Sequence, residues 1–242
     1  MVVLVLAVLA FAPAAMAADD HARTAAVKKR TWVSGVQVTE YWPAPEAWFI
    51  GKAVSAPGLS RPARIDWLYS GRGMSMEGDG IGLDGRRYHI ESLGRAGWLN
   101  RKGRSTSPGS GGWSSGPPWW RNAHVWFDRK GRPTFPLPDG TWYRGVGRRY
   151  AGDRGISFAP GPSRDLEYYG SIAVDRSLIP LGSRVYIPAY KRVNGGWFTA
   201  ADVGGAISSR HVDVFRPPPS QPFGDGRSLA GQRILVDPPG KG

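Results

Sequence analysis

Residues Tyr168–Arg216 read YYGSIAVDRSLIPLGSRVYIPAYKRVNGGWFTAADVGGAISSRHVDVFR and contain the clearest pattern in this chain. Asp175, Asp202 and Asp213 each stand at the edge of a short apolar run, and turn-forming residues separate the runs. Short apolar runs between turns predict β-strands, and carboxylates at strand ends can line a groove. The first hypothesis is therefore that the three aspartates have a catalytic role.

The composition of the whole chain agrees with a β-rich fold. The 242 residues suffice for one large domain, and 34 glycines with 21 prolines leave few uninterrupted helical windows. A hydrophobic content of 41% and 11 tryptophans argue against disorder. We therefore predict a folded, all-β protein with long loops.

The N-terminus has the pattern of an export signal. Val2–Ala12 is an apolar run too short to span a bilayer, and Ala15-Met16-Ala17 is a small-x-small cleavage site. Residues 1–17 are predicted to be a signal peptide and residues 18–32 a flexible leader. The mature protein is expected to be exported, extracellular or periplasmic, without stable membrane insertion. The usual basic n-region is missing, which suggests a true start upstream of Met1. A retained anchor is the alternative to a cleaved signal peptide.

Charge and cysteine content narrow the function classes. The chain has no cysteine, which excludes disulfides and thiol catalysis. Its net charge of +13 would bring an exported protein to anionic wall polymers, whereas nucleic acid is not an expected partner outside the cell. A charge that only keeps the protein soluble is the alternative interpretation.

The region before the aspartates has two clear strand patterns. Val33–Tyr41 alternates apolar and polar residues, and Arg86–Ser92 does so more weakly. Between them, the glycine-punctuated segment 71–85 contains three acidic residues, Glu77, Asp79 and Asp84. Their spacing does not match a calcium-binding loop, so we predict tight turns and no metal site there.

A Gly/Ser-rich segment, Leu99–Pro118, is associated with a cluster of tryptophans: Trp113, Trp119 and Trp120. Long loops inside compact domains are usually functional or disordered. Tryptophans beside glycines can form stacking platforms for sugar rings. The alternative is that these side chains only hold the loop on the core.

Strand alternation assigns the aspartates to particular faces. In His211–Phe215, Val212 and Val214 share one face, and His211, Asp213 and Phe215 share the other. Asp213 therefore does not point into the core on which its strand packs. Asp202 precedes Val203-Gly204-Gly205, a turn whose backbone donors could hold a carboxylate or a substrate oxygen.

Several chemistries are compatible with these carboxylates to different degrees. An aspartic protease needs two Asp-Thr/Ser-Gly loops, and Val203 stands where that hydroxyl residue should follow Asp202. A metal site built on His211 and Asp213 lacks a further ligand. Glycoside cleavage needs a carboxyl group kept protonated near neutral pH, which Asp213 with Asp202 nearby would supply. Aspartates that only cap turns and pair with arginines are the structural alternative.

The motifs SIAVDRSLIPLGSRVYIPAY, AADVGGAISSRHVDVF and GQRILV, in this order, resemble the three-aspartate (3D) domain. That domain is shared by membrane-bound lytic murein transglycosylase A and secreted cell-wall proteins. The resemblance implies a six-stranded double-psi β-barrel over residues 33–242, with residues 165–237 as the signature region. Residues 43–164 would then be a long, irregular Gly/Ser/Trp-rich insertion after the first strand, and VQVTEYWP would be that strand.

The resemblance also implies site residues. Asp213 corresponds to the catalytic acid/base and Asp202 to the aspartate that supports it. Asp175 would be structural, and Gly204 and Gly205 would let a glycan approach the backbone. His211 is expected to be a further supporting residue. We expect substrate contacts from Tyr41, Trp113, Trp119 and Trp120. The sequence departs from the family at Ser208–His211, where a glycine-containing turn is more usual.

The activity implied by the resemblance is that of a lytic transglycosylase. Such an enzyme cleaves the β-1,4 bond between N-acetylmuramic acid and N-acetylglucosamine in peptidoglycan glycan strands and leaves a 1,6-anhydro product. It needs neither a cofactor nor a metal. A non-catalytic wall-binding module and a hydrolase acting on the same strands remain the alternatives.

Overall fold

The structure, a computed structural model, describes residues 25–69, 73–92, 98–99, 105–106, 119–120, 125–134, 142, 144–151, 156–205, 207–222 and 226–240. The strands in these residues are β1 (Thr31–Tyr41), β2 (Ala44–Pro45), β3 (Ala53–Val54), β4 (Ala63–Arg64), β5 (Asp79–Ile81), β6 (Arg87–Ser92), β7 (Trp98–Leu99), β8 (Ser105–Thr106), β9 (Trp119–Trp120), β10 (Val125–Phe127), β11 (Pro133–Thr134), β12 (Arg149–Ala151), β13 (Ser157–Pro160), β14 (Ser171–Val174), β15 (Arg184–Tyr186), β16 (Trp197–Asp202), β17 (His211–Phe215) and β18 (Leu229–Asp237). The helices are α1 (Ile65–Tyr69), α2 (Met74–Glu77) and the 3-10 helices Glu46–Trp48, Pro188–Tyr190 and Asn194–Gly196. The predicted signal peptide lies outside the described residues.

Six strands form a closed barrel in the order β1-β17-β14-β16-β15-β18. The pairs β1–β17 and β14–β16 are parallel, and the other four neighbouring pairs are antiparallel. Five of these strands come from the signature region, and β1 closes the barrel from the N-terminal side. The prediction of a nearly all-β protein with a six-stranded barrel is confirmed, whereas the double-psi connection stays a prediction.

The barrel interior is filled by the alternating apolar residues that the sequence pattern indicated. Val212 and Val214 of β17 are fully buried, as are Val36 and Val38 of β1. Each fully buried valine contributes about 1.5–2 kcal/mol through removal of apolar surface from water. Gly35 has a φ of +72° at a register shift between β1 and β18, a conformation that a residue without Cβ adopts without strain.

The region between β1 and β14 has a hydrophobic core of its own. Trp67, Phe49 and Phe158 are fully buried in this second cluster, which packs beside the sheet β13-β6-β5-β2. Trp67 Nε1 donates a hydrogen bond to the Ala44 carbonyl oxygen at 2.8 Å, which fixes α1 to β2. The predicted strand Arg86–Ser92 is β6. Part of the insertion is thus regular structure on which side chains can be held in place.

No helix in the described parts of the chain is long and apolar enough to cross a membrane.

Candidate functional site

Asp213 on β17 lies beside Thr39 of β1. The two residues are register partners in a parallel pair, so their side chains project from the same face. Thr39 Oγ1 donates a hydrogen bond to Asp213 Oδ1 at 2.8 Å and lies 2.7 Å from Nε2 of His211. When Thr39 donates to Asp213, its oxygen can accept a hydrogen bond from Nε2 of His211 in the tautomer that carries the proton there. The three side chains form one hydrogen-bonded row.

Asp202 reaches the same region from the other side of β14. Ala173 is the register partner of both Asp202 and Asp213, so the two aspartates flank β14 at one level. Two strand spacings separate their backbones, which corresponds to about 10 Å. A register shift between Ile172 and Ala173 brings Asp202, the last residue of β16, to this level. Tyr41 spans the gap from β1, and its hydroxyl donates to Asp202 Oδ2 at 2.8 Å.

A cavity of about 190 Å³ opens beside Asp202, between the barrel and the insertion. Asp213 does not line this cavity, although its charge acts on Glu77 in the cavity wall. The barrel side contributes Tyr41, Asp202 and Phe215, among others. The opposite wall is formed by the end of α2, the start of β5 and the loop after β13, through Glu77, Gly78, Asp79, Ser163 and Arg164. The insertion therefore supplies much of the cavity surface that faces Asp202.

The opposite wall is attached to the barrel by polar contacts. Asp79 accepts hydrogen bonds from the Ser163 backbone N–H at 3.0 Å and from the Ser163 hydroxyl, and it pairs with Arg87 Nη2 at 3.2 Å. The Arg87 guanidinium lies 5.6 Å from the centroid of the Phe215 ring on β17. Arg164 Nε pairs directly with Asp202 Oδ1 at 3.1 Å. The two walls are thus held in a fixed relation.

Aromatic rings surround this cavity. Tyr41 and Tyr168 both contact Phe215, with ring centroids at 5.2 and 4.9 Å. Trp42, directly after β1, also lines the cavity, and the Arg216 guanidinium lies 5.3 Å from its ring centroid. Aromatic faces of this kind suit the C–H faces of sugar rings.

The environment of Asp213 adjusts its acidity. Burial raises the pKa of the Asp213 carboxyl to about 6; the hydrogen bond from Thr39 lowers it, and the charges of Glu40 and Asp202 raise it. Burial, and then the charge of Asp202, also raise the pKa of Tyr41, so its hydroxyl stays a donor at neutral pH. A carboxyl with a pKa of about 6 can both give and take a proton near neutral pH, as general acid–base chemistry requires.

Asp175 has a different environment from the other two signature aspartates. Its Oδ1 accepts from the Ser177 N–H at 2.8 Å, and its Oδ2 accepts from the Ser209 N–H at 2.6 Å. A hydrogen bond from the Ser177 side chain, together with these two backbone bonds, lowers the pKa of Asp175. Ser209 has a φ of +57°, which is strained for a residue with a Cβ, and it stands in the turn where a glycine was expected. Asp175 thus holds the turn that leads into β17.

The other predicted site residues lie in an exposed turn, in a strand with only its backbone described, or outside the described residues. Gly204 and Gly205 lie in an exposed turn after β16, and a Cβ on Gly204 would come within 2.7 Å of Ile207 Cγ1. Trp119 and Trp120 form β9, for which only the backbone is described, and Trp113 lies outside the described residues. Their role in substrate binding stays a prediction.

Sequence reasoning missed several residues that the fold brings to the site. Glu77 lines the cavity, and burial, followed by the charge of Asp213, raises its pKa to about 8. Arg164 pairs with Asp202, and Thr39 bonds Asp213. The alternation of VQVTEY places Thr39 on the same strand face as Tyr41, which was predicted, and could have indicated Thr39 as well. The pattern of segment 71–85 gave no comparable signal for Glu77.

Within the described ranges, no group of three or more histidine, aspartate or glutamate side chains is arranged to hold a metal ion. In segment 71–85, Asp84 accepts a hydrogen bond from the Tyr88 hydroxyl at 2.6 Å and pairs with Arg61. Asp79 is engaged with Ser163 and Arg87 as described above. Two of the three carboxylates in this segment thus have protein partners.

The chain is similar to a cell-wall protein in part of its sequence and to lytic transglycosylases in its fold. The cell wall-binding protein YocH of Bacillus subtilis (strain 168) is 40% identical over 88 residues, which are 35% of this chain and 29% of that protein. The chain therefore spans less than a third of the length of this relative. The solved structure of E. coli MltA with bound chitohexaose is 16% identical and matches with a TM-score of 0.42, over 85% of this chain and 73% of that chain. A membrane-bound lytic murein transglycosylase from Agrobacterium tumefaciens is 12% identical, with a TM-score of 0.37, over 87% and 77% of the two chains.

The family comparison concerns the part of the barrel that carries the three aspartates. The model of the 3D domain matches residues 170–224, which include β14 to β17 with Asp175, Asp202 and Asp213. The resemblance seen in the sequence is thereby confirmed for this region. Residues 170–224 are thus similar to the 3D domain.

Proposed function

We propose that this protein is a peptidoglycan lytic transglycosylase that leaves a 1,6-anhydro-N-acetylmuramic acid product. The observation that carries the proposal is the partly buried Asp213 carboxyl, which lies level with Asp202 of the cavity wall and has its pKa raised to about 6. The 3D domain and the cell wall-binding relative support peptidoglycan as the substrate and a wall-associated, exported location.

The proposed reaction needs a single acid/base. Asp213 donates its proton to the glycosidic oxygen as the bond from that oxygen to the muramyl C1 breaks, and the N-acetylglucosamine end leaves as an alcohol. The Asp213 carboxylate then removes the proton of the muramyl C6 hydroxyl, whose oxygen forms the new bond to C1. The proton is thus restored to Asp213, and no water is consumed.

Asp202 has a supporting role in this scheme. Tyr41 OH, the Val203 N–H at 2.8 Å and Arg164 all direct donors at its carboxylate, which keeps the side chain in position. Its negative charge raises the pKa of Asp213 and favours the positive charge that develops at C1 in the transition state. Neutralising Asp202 should therefore slow the reaction without preventing glycan binding.

A second candidate function is a wall-binding module without catalysis. This function is favoured by the similarity to the cell wall-binding protein of Bacillus subtilis. It is also favoured by a basic cavity of about 280 Å³ around the β10–β11 hairpin. Asp128 in this cavity pairs with Arg132 at 2.7 Å, so the local charge stays positive. Such a surface suits anionic wall polymers. The basic residues that line it are Arg129, Lys130, Arg132, Arg144 and Arg148.

Digestion of purified peptidoglycan separates these functions. The mature protein and Asp213→Asn are incubated with the polymer, and soluble products are identified by mass spectrometry while bound protein is measured by co-sedimentation. Anhydro-muropeptides from the wild type alone support the transglycosylase. Reducing-end products indicate hydrolysis, co-sedimentation without products indicates a binding module, and full activity of Asp213→Asn contradicts the assigned acid.

A further inference from the structure

Glu77 faces the cavity from the wall opposite Asp202 and is close enough to Asp213 to feel its charge, and the fold fixes its position. It is the last residue of α2, whose first residue, Met74, is fully buried in the second core. Gly78 ends the helix with a φ of +80°, and its N–H bonds the Met74 carbonyl at 2.8 Å. The Gly78 carbonyl in turn accepts the Ile90 N–H of β6 at 3.0 Å. The backbone at Glu77 is thus anchored on both sides.

The other two carboxylates that line the cavity have their hydrogen-bonding capacity used. Asp79 accepts from Ser163 and pairs with Arg87, and Asp202 accepts from Tyr41 and pairs with Arg164. The Glu77 carboxyl accepts no hydrogen bond from any residue that the structure describes, although its side chain is partly buried. A carboxylate withdrawn from water without a partner is costly, so the neutral acid is favoured.

The protonated form gives Glu77 an O–H donor that points to a ligand-sized space. Burial, and then the charge of Asp213, raise the pKa of Glu77 to about 8, so the proton is held at neutral pH. Glycans present many acceptors, since every hydroxyl, ring oxygen and acetamido carbonyl accepts a hydrogen bond. A neutral donor also avoids a further negative charge beside Asp213.

We propose that Glu77 is a substrate-binding residue that, as a neutral acid, donates a hydrogen bond to an oxygen of a bound N-acetylated glycan. The proposal rests on the proposed function, because it takes the glycan to lie between the two walls. Glu77 in this role sets affinity, whereas Asp213 transfers the proton to the scissile bond. The two walls of the cavity then have different tasks.

The charged and titratable groups around Glu77 determine the pH dependence of this contact. The charge of Asp213 on β17 opposes its ionisation, and Asp202 of β16 and Asp79 of β5 are the other carboxylates that line the cavity. Arg164 is engaged with Asp202, and Tyr41 stays neutral. The donor is therefore present below about pH 8, and affinity falls as the pH rises through this value.

The test measures binding of a β-1,4-linked N-acetylglucosamine hexamer by calorimetry from pH 6 to pH 9, with mass spectrometry to verify that the hexamer stays intact. Glu77→Gln keeps a donor that does not titrate, and Glu77→Ala removes it. Exposed Glu91, whose side chain is 63% accessible, supplies the control Glu91→Gln. We expect Glu77→Ala to bind about 10-fold more weakly at pH 6.5, and Glu77→Gln to stay within about threefold of the wild type. Wild-type affinity should fall about 10-fold above pH 8, and that of Glu77→Gln should not.

Two results would overturn the inference while leaving the proposed function in place. One is wild-type binding that both Glu77 variants reproduce at every pH; the other is a Glu77→Gln variant as weak as Glu77→Ala. A wild type that neither binds the hexamer nor acts on peptidoglycan would instead overturn the proposed function itself. If Glu77→Ala does not fold, the inference is tested by comparing how the hexamer affinities of the wild type and Glu77→Gln change with pH.

Discussion

The Asp213 carboxyl should cost the protein stability, which makes its replacement by asparagine informative. Its pKa rises from an ordinary value of 3.8 to about 6 on folding. A group with a raised folded pKa destabilises the native state progressively as the pH rises from the unfolded to the folded value. With about 1.4 kcal/mol per unit, the full effect above pH 6 is about 3 kcal/mol.

Asparagine removes this cost and keeps the local structure. Its side-chain oxygen can still accept the hydrogen bond from Thr39 Oγ1. We therefore expect the free energy of unfolding of Asp213→Asn to exceed that of the wild type by about 2–3 kcal/mol at pH 7.5. The midpoint of thermal unfolding should rise by roughly 5–10 °C. At pH values below 4 the difference should vanish, because both proteins are then neutral at this position.

Urea denaturation of both proteins at pH 3.5, 5, 6 and 7.5 measures the effect. Asp175→Asn is the matched control with the opposite sign, because its pKa is lowered and both oxygens accept backbone hydrogen bonds. Losing one acceptor should destabilise that variant by about 1 kcal/mol at pH 7.5. An Asp213→Asn variant that is less stable than the wild type at pH 7.5 would refute this reasoning. So would a difference in the free energy of unfolding between the two proteins that is the same at every pH.

Two further substitutions test the surroundings of Asp213. Tyr41→Phe removes the hydrogen bond to Asp202, and we expect kcat/KM on glycan strands to fall about 10-fold with little change in stability; an unchanged kcat/KM would show that this contact is dispensable. Burial alone would raise the pKa of Glu40, but hydrogen bonds, including that from Arg216, hold this pKa below its ordinary value. The Glu40 carboxylate therefore stabilises the fold above pH 4.5, and this stabilisation is lost as the pH falls. Glu40→Gln should therefore unfold about 3 kcal/mol more easily at pH 7.5, by urea denaturation, and should lower the pKa of Asp213 seen in the pH–rate profile; equal stability would contradict the burial of this ion pair.

The barrel strands β1 and β17 could be predicted from the sequence, because the alternation of apolar and polar residues within each strand determines which residues share a face. The alternation around Val212 and Val214 places Asp213 on the face away from the core, and β17 has these bounds in the structure. In β1, the same alternation places Tyr41 and Thr39 on one face of the strand. A period of two residues determines these faces whatever the rest of the chain does.

The relation between the two aspartates could not be predicted in the same way. Asp202 lies level with Asp213 because of a register shift between Ile172 and Ala173, which no local pattern indicates. Glu77 was less predictable still, since α2 has only four residues and lies among glycines. Its position depends on the second core, which assembles residues distant in the sequence.

The most direct test of the central claim is digestion of peptidoglycan by the mature protein in water enriched in the heavy oxygen isotope. An intramolecular attack by the muramyl C6 hydroxyl predicts anhydro-muramyl ends that carry no heavy oxygen, formed by the wild type and lost in Asp213→Asn. Muramyl reducing ends that carry the heavy isotope would contradict the account, because they would show that water is the nucleophile. So would anhydro ends formed equally well by Asp213→Asn.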